Sequence, residues 1–197
     1  MLDIVIASRN RHKVRELIAL LPVRGIRWHS LDTFPRVRPA AETGRTFESN
    51  AVKKARTIAR ATGHLALADD SGIEVDALGG SPGVRSARFA GSHGDDAANN
   101  RKLLRLLGDR PPQDRRARYR CVLALASPTD LLALARGAWQ GRIALRPAGR
   151  GGFGYDPIFL VPRFGKTVAQ LPKKVKRRFS HRAVCARRLR PVLQRMV

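Results

Sequence analysis

Residues 67–80 read Leu-Ala-Asp-Asp-Ser-Gly-Ile-Glu-Val-Asp-Ala-Leu-Gly-Gly and place four carboxylates, Asp69, Asp70, Glu74 and Asp76, in one short stretch. Adjacent acids at the end of an apolar run, followed by Ser71-Gly72, suit a magnesium site better than a solvated loop. Magnesium takes oxygen ligands and is commonly held by one or two carboxylates, with substrate phosphates completing its shell. The chain as a whole carries a formal net charge of +24. An acid cluster in so basic a chain points to a metal-dependent enzyme acting on a polyanion. Successive strand residues face opposite ways, so Asp69 and Asp70 are expected to play different roles. Glu74 and Asp76 share a parity and read as loop or capping groups.

Three more stretches have residue types suited to chemistry. Ser8-Arg9-Asn10-Arg11-His12-Lys13 joins an apolar run to a helical pattern. Backbone amides at a helix N-terminus attract anions, and Lys13 adds a charge in the first turn. The GxxxxGK[ST] spacing of a P-loop is absent. Phe153-Gly154-Tyr155-Asp156-Pro157 follows Gly149, Gly151 and Gly152. Those glycines permit close backbone approach to a ligand. Phe153 and Tyr155 offer stacking faces there, and Asp156 an acceptor for ring N–H groups. Ser180-His181-Arg182 follows the basic run at 173–178; arginine binds oxyanions in bidentate fashion and histidine is a switchable donor. Taken singly, each stretch also reads as plain structure: a polar loop, a glycine-rich turn, a solvated charge run.

The elements that must carry these residues follow from periodicity. Asp3–Ala7 reads as a buried strand, and the next helix places Val14, Leu17, Ile18 and Leu21 on one face until Pro22. A second strand covers Ile26–Leu31, and a Pro-containing loop without clear periodicity covers Phe34–Gly44. Thr46 caps a helix running to about Ala61, which Gly63 closes. Leu65–Ala68 is a strand delivering the acid pair. Asp95–Leu107 is a helix with Leu103, Leu104, Leu106 and Leu107 inward, followed by a polar connection from Arg110 to Arg116. Ala117–Ala126 and Leu131–Trp139 pair as a hairpin, Ile158–Val161 is a short strand, and the C-terminus is helical, with Ser180 as N-cap and Pro191 kinking or ending it. Alternating strands and helices followed by hairpins give an α/β fold with a mixed sheet.

Composition sets outer bounds. With 197 residues, 43% of them hydrophobic, the chain can bury a full core as one domain or two closely joined lobes. Arginines spread from Arg9 to Arg195 without interleaved aromatics, which reads as a solvated basic surface binding nucleic acid only nonspecifically. Cys121 and Cys185 form no metal-ligand pattern, and no stretch has the apolar length of a signal or membrane segment; a reduced cytoplasmic setting is expected.

In order, the motifs SRNxxK, TFxxNAxxKA, LADDSGxEVDALGG, SPGVRSAR, GGFGYDPIF and SHR resemble the inosine triphosphate pyrophosphatase (Ham1/RdgB-like) family from about Leu2 to Leu189. The resemblance implies an elongated mixed sheet flanked by helices, with two lobes and a nucleotide cleft between them, all within one domain over residues 1–197. It implies Mg²⁺-dependent hydrolysis of dITP, ITP and XTP to the monophosphate and pyrophosphate, in a cytoplasmic homodimer. By the same resemblance Asp70 holds the metal and is the general base. Ser8, Arg9, Asn10, Arg11, His12 and Lys13 bind substrate, with Lys54 near the phosphates and Ser71 on the nucleotide. Phe153, Gly154, Tyr155 and Asp156 line the base pocket, which Lys176, His181 and Arg182 complete. The chain departs from the family pattern at Ser49, where a Glu assists the metal and completes a capping box with Thr46. It departs again at Gln170 and Arg177. A diverged member binding nucleotides or nucleic acid with little turnover is the alternative class.

Overall fold

The computed structural model describes residues 1–197. Strand β1 (Leu2–Ile6), helix α1 (Arg11–Leu20) and strand β2 (Ile26–Ser30) open the chain as a unit with parallel strands. The Asn10 side chain caps α1 by accepting from the His12 and Lys13 amides. Helix α1 buries Val14, Leu17 and Leu20, whereas Ile18, expected inside, is exposed. Leu21, just beyond the helix, completes the buried stripe, and Ile18 lies roughly 90° from its centre at 100° per residue.

Helix α2 (Phe47–Thr62) leads into strand β3 (Leu65–Val75). The strand is longer than the expected Leu65–Ala68, so the acid pair sits inside it and not at its end. Charged residues interrupt the apolar run without ending the strand, because side-chain partners satisfy both carboxylates. Helix α3 (Asp96–Leu107) buries Leu103 and Leu107 and half-buries Leu104 but leaves Leu106 exposed, which lies roughly 80° from the midpoint of Leu103 and Leu107 at 100° per residue. Strands β4 (Arg116–Ala126) and β5 (Leu131–Ile143) follow, then β6 (Phe159–Val161) and the two-residue β7 (Lys166–Thr167). The C-terminal helix is two helices, α4 (Lys173–Phe179) and α5 (His181–Gln194), parted by the extended backbone of Ser180. Pro191 lies inside α5, which runs on past it.

The seven strands form one sheet in the order β2-β1-β3-β4-β5-β6-β7. β1 is parallel to β2 and β3, while β6 is antiparallel to β5 and β7. The sheet is therefore mixed, as alternating elements followed by hairpins require. No helix is long and apolar enough to cross a membrane.

The chain divides into two compact units whose boundaries fall inside β3, β4, β5 and the first turn of α5. The first comprises 1–70, 121–137 and 182–197. Its core joins Ile4, Ile6, Leu17, Leu67 and Leu123 to Ala183, Leu189 and Leu193 of α5. The second comprises 71–120 and 138–181; its core gathers Ile73, Val75, Leu103, Trp139 and Phe159. Arg115, expected in a polar connection, is buried in this second unit. Its guanidinium donates to the carbonyls of Ile143 (2.8 Å), Gly108 (2.8 Å) and Ala144 (3.0 Å). Those three acceptors explain why a charged residue tolerates burial there.

Candidate active site

In the first unit the two adjacent acids do face different partners. Asp69 is buried and holds Lys13 Nζ at 2.9 Å on one oxygen and Arg182 Nε at 2.9 Å on the other. The Cys121 thiol also donates to Asp69 Oδ2, at 3.3 Å. Arg182 reaches Glu16 as well, at 3.2 Å. Complete burial opposes the Arg182 charge, but Asp69 and Glu16 outweigh it and hold the guanidinium protonated above even its usual range. Burial, then the neighbouring Cys185 and Asp69, push the Cys121 thiol well above its ordinary value. Asp69 therefore fixes Lys13 and Arg182 in place.

Asp70 points to α2. Its Oδ1 accepts from Lys54 Nζ at 2.7 Å and its Oδ2 from Asn50 Nδ2 at 3.2 Å. Asn50 and Lys54 lie one helical turn apart and so share the face that meets β3. Lys54 also contacts Glu42, at 2.5 Å, so one ammonium serves two carboxylates. Burial pushes the Asp70 carboxyl above the usual carboxylate range despite the attraction of Lys54, and Glu42 adds to the rise. Burial alone would lower Lys54, yet Asp70 and Glu42 together hold its ammonium above the usual lysine range. A carboxylate with a raised proton affinity is suited to accept a proton near neutral pH.

Sequence reasoning gave no role to Glu42, Asn50, Glu16 or Cys121. Asn50 carried a signal as the fixed Asn of TFxxNAxxKA. Glu42 sits in the Pro-containing loop, where no periodicity marks a facing direction. At the helix start, Ser49 does not leave the capping box open as the family pattern suggests. Thr46 Oγ1 accepts from the Ser49 amide at 3.0 Å, and Ser49 Oγ accepts from the Thr46 amide at 3.3 Å. Serine is short, but its hydroxyl reaches the same backbone donor that a glutamate would. Glu48 turns instead to Arg136, whose Nη2 lies 2.5 Å from it.

The Ser8–Lys13 loop is compact: Ser8 Oγ accepts from the Asn10 amide at 3.1 Å, and Arg9 donates to the Val37 carbonyl at 3.1 Å. Arg9, Asn10, Arg11 and His12 are exposed, and Lys13 is partly so. Only Lys13 of this group is brought against the acid pair.

In the second unit the glycine-rich loop is organised by Asp156. Its Oδ1 accepts from Tyr119 Oη (3.1 Å), and its Oδ2 from the Phe153 amide (3.0 Å) and Lys176 Nζ (2.6 Å). A Cβ on Gly152 would lie 2.0 Å from Asp156 Oδ2, and its φ of +78° is one that side chains disfavour. Lys176 Nζ also stands 4.5 Å from the Phe153 ring centroid, a cation–π distance. Two expectations change here. Asp156 already has partners on both oxygens, so its carboxylate organises the loop and orients Lys176. Tyr155 is buried and its hydroxyl donates to the Ser86 carbonyl at 2.8 Å, so it anchors the loop and offers no stacking face. Burial, then Asp96, hold that phenol well above its ordinary range. Phe153 is the partly exposed aromatic.

His181 is buried and stacks on Tyr119, with ring centroids 4.6 Å apart. Ser71 is partly exposed. Glu74 pairs with Arg118 at 2.6 Å and Asp76 with the same residue at 3.6 Å, so these two acids serve structure.

The Ham1 family model matches residues 4–192. A dITP/XTP pyrophosphatase of Desulforamulus reducens is 47% identical over 99% of this chain and 97% of its own. One from Nitratidesulfovibrio vulgaris is 50% identical, covering 94% and 93% respectively. Among solved structures, a HAM1 protein from Coxiella burnetii superposes with a TM-score of 0.89 at 41% identity, covering 99% of this chain and all of that one. With its motifs in order, its mixed sheet in the same arrangement and its matches running nearly end to end, the chain belongs to the Ham1 family.

Proposed function

We propose that this protein hydrolyses non-standard purine nucleoside triphosphates of the dITP, ITP and XTP type to the monophosphate and pyrophosphate. The observation that carries the reading is Asp70, a buried carboxylate of raised proton affinity braced by Asn50 and Lys54. Its relatives from D. reducens and N. vulgaris are dITP/XTP pyrophosphatases, which supports the substrate class.

The residues present fit a divalent cation. Asp70 and Glu42 converge on Lys54 Nζ, so two hard oxygen donors meet at one point. Such a donor set, with phosphates completing the shell, suits Mg²⁺. Asp70 and Glu42 would hold it, and when bound it supplies charge neutralisation on the phosphates.

The remaining work falls to the chain. Asp70 accepts the proton of the attacking water, and Lys54 keeps the carboxylate oriented. Lys13, fixed by Asp69, meets the phosphates together with the backbone amides and side chains of Ser8 to His12. Ser71 contacts the nucleotide. Phe153 stacks on the base, and Lys176 donates to the 6-keto oxygen. Adenine presents an amino donor at that position, so an adenine nucleotide leaves the ammonium facing a donor, a mismatch that discriminates strongly. Gly154, Tyr155 and Asp156 frame this pocket. His181 supports it through Tyr119, and Arg182 supports the phosphate side through Asp69. The homodimer and the cytoplasmic setting that the resemblance implies belong to the same proposal; light scattering on the purified protein reads the first.

The test is pyrophosphate release from dITP, XTP and dATP with and without Mg²⁺. Release from dITP and XTP but not dATP, lost on chelation, is expected. No release from any of the three would overturn the reading.

A further inference from the structure

Helix α3 carries residues that the chemistry described so far leaves without a role. Asp96 and Asn100 are one helical turn apart, so their side chains share a face. Both reach the same residue of the glycine-rich loop. Asp96 Oδ2 accepts from the Gly154 amide at 2.6 Å, and Asn100 Nδ2 donates to the Gly154 carbonyl at 3.1 Å. One glycine is thus held on both its peptide groups. Asn100 is buried, and its Oδ1 has no hydrogen-bond partner in the protein; an unmatched buried oxygen is costly, which the Nδ2 bond to Gly154 offsets.

The next loop residue is held from a second direction. Tyr155 Oη donates to the Ser86 carbonyl at 2.8 Å. Ser86, from the SPGVRSAR motif, is itself fixed: its hydroxyl accepts from the Ile73 amide at 2.9 Å and donates to the Gly83 carbonyl at 2.6 Å. Ile73 lies two residues beyond Ser71, so the same serine ties the strand segment after the acid pair to the base loop.

We propose that Asp96, Asn100 and Ser86 form a three-point mount that sets the position of Gly154 and Tyr155 and thereby the discrimination between 6-keto and 6-amino purines. They are positioning residues. Phe153 and Asp156, with the Lys176 that Asp156 orients, flank the mounted pair, so a shift of the mount moves stacking face and donor together. A donor displaced by a fraction of a hydrogen-bond length no longer rewards the keto oxygen. The proposal rests on the pyrophosphatase reading for its substrate readout.

The experiment compares kcat/KM for dITP and dATP in Asp96→Ala, Asp96→Asn and Tyr155→Phe. Asp96→Ala and Tyr155→Phe each remove one hydrogen bond, and each is expected to lower the dITP-to-dATP ratio by about tenfold, mainly through KM for dITP. Asp96→Asn keeps an acceptor oxygen and is expected to restore the ratio. A merely structural role would lower both substrates together and leave the ratio alone. A ratio within roughly twofold of the parent in both disrupting variants would overturn the mount, because losing one such bond is worth more than that. Amide exchange of the nucleotide-free protein separates this from the substrate reading. Gly154 N–H is expected to exchange about tenfold faster in Asp96→Ala, even if the parent protein releases no pyrophosphate from any nucleotide. Unchanged exchange at Gly154 would also overturn it.

Discussion

Asp70 and Asp69 are neighbours of the same type whose surroundings give them opposite tasks. Asp69 has two cations and a thiol about it and serves as a brace. Asp70 shares one ammonium with Glu42 and is held at a raised proton affinity by burial. Because its folded-state pKa is raised, its contribution to stability is complete below the ordinary carboxylate value of about 3.9 and is lost as pH rises through the raised value. The ionised Asp70 therefore costs stability at neutral pH. Asp70→Asn is expected to abolish pyrophosphate release while melting no lower than the parent at pH ~7, with the advantage shrinking towards pH ~4. Thermal scans at both pH values check it, and near-normal turnover in the variant would remove Asp70 as base. For the parent enzyme, the acid limb of kcat/KM is expected above the ordinary carboxylate range, since the base must be deprotonated. Arg182 makes the contrasting case. Arg182→Met leaves Asp69 and Glu16 without their shared cation and is expected to cost about 3–5 kcal/mol in urea unfolding. A loss under about 1 kcal/mol would show that the pair behaves as a surface contact.

Helix α2 delivers Asn50 and Lys54 to Asp70, and its first turn decides where they point. The loop before it is tied in as well: the Gly44 amide donates to Asn50 Oδ1 at 2.7 Å, which orients that carboxamide with its Nδ2 on Asp70. Ser49 closes the capping box but brings no carboxylate to the site. Ser49→Glu is expected to leave stability within about 0.5 kcal/mol, because the glutamate takes over the box, while lowering the Mg²⁺ concentration needed for half-maximal activity. An unchanged Mg²⁺ titration would show that the position has no bearing on the metal. At this scale the sequence was legible wherever a period ran long enough to fix a face. The starts of α2 and α3, the strand β4 and the acid pair all follow from capping residues and alternation. Strand β7, at two residues, is too short to carry a period. The Tyr119–His181 stack and the Glu42–Lys54 contact join segments distant in sequence, and no local pattern announces either. Tyr155 shows the same limit: an aromatic in a glycine-rich loop reads the same in sequence whether its ring faces a ligand or, as here, the core.

The whole molecule carries 39 Lys and Arg against 15 Asp and Glu, and six of those acids are buried or half-buried in ion pairs. Asp69, Asp70, Glu16, Glu42, Glu74 and Asp156 each contact a basic side chain. The exposed surface is therefore left with the excess of positive charge, including Lys173, Lys174, Arg177 and Arg178 around the inward-turned Lys176. A nucleoside triphosphate approaching this surface is drawn by the field of the whole chain before it meets any particular residue. Such steering acts on encounter and is screened over about 10 Å at 0.1 M salt. The proposed chemistry at Asp70 is buried and is screened far less. Raising ionic strength from about 0.02 M to about 0.5 M is therefore expected to lower kcat/KM for dITP at least several-fold, while kcat at saturating nucleotide stays within about twofold. Binding to single-stranded nucleic acid is expected to fall over the same range, since it relies on the same exposed charge without a buried site. If kcat/KM held constant across that range, the surplus charge would have no part in capturing substrate. If kcat fell in parallel instead, the salt would be acting on the Asp70 or Asp69 networks themselves, and the burial argument for both would fail.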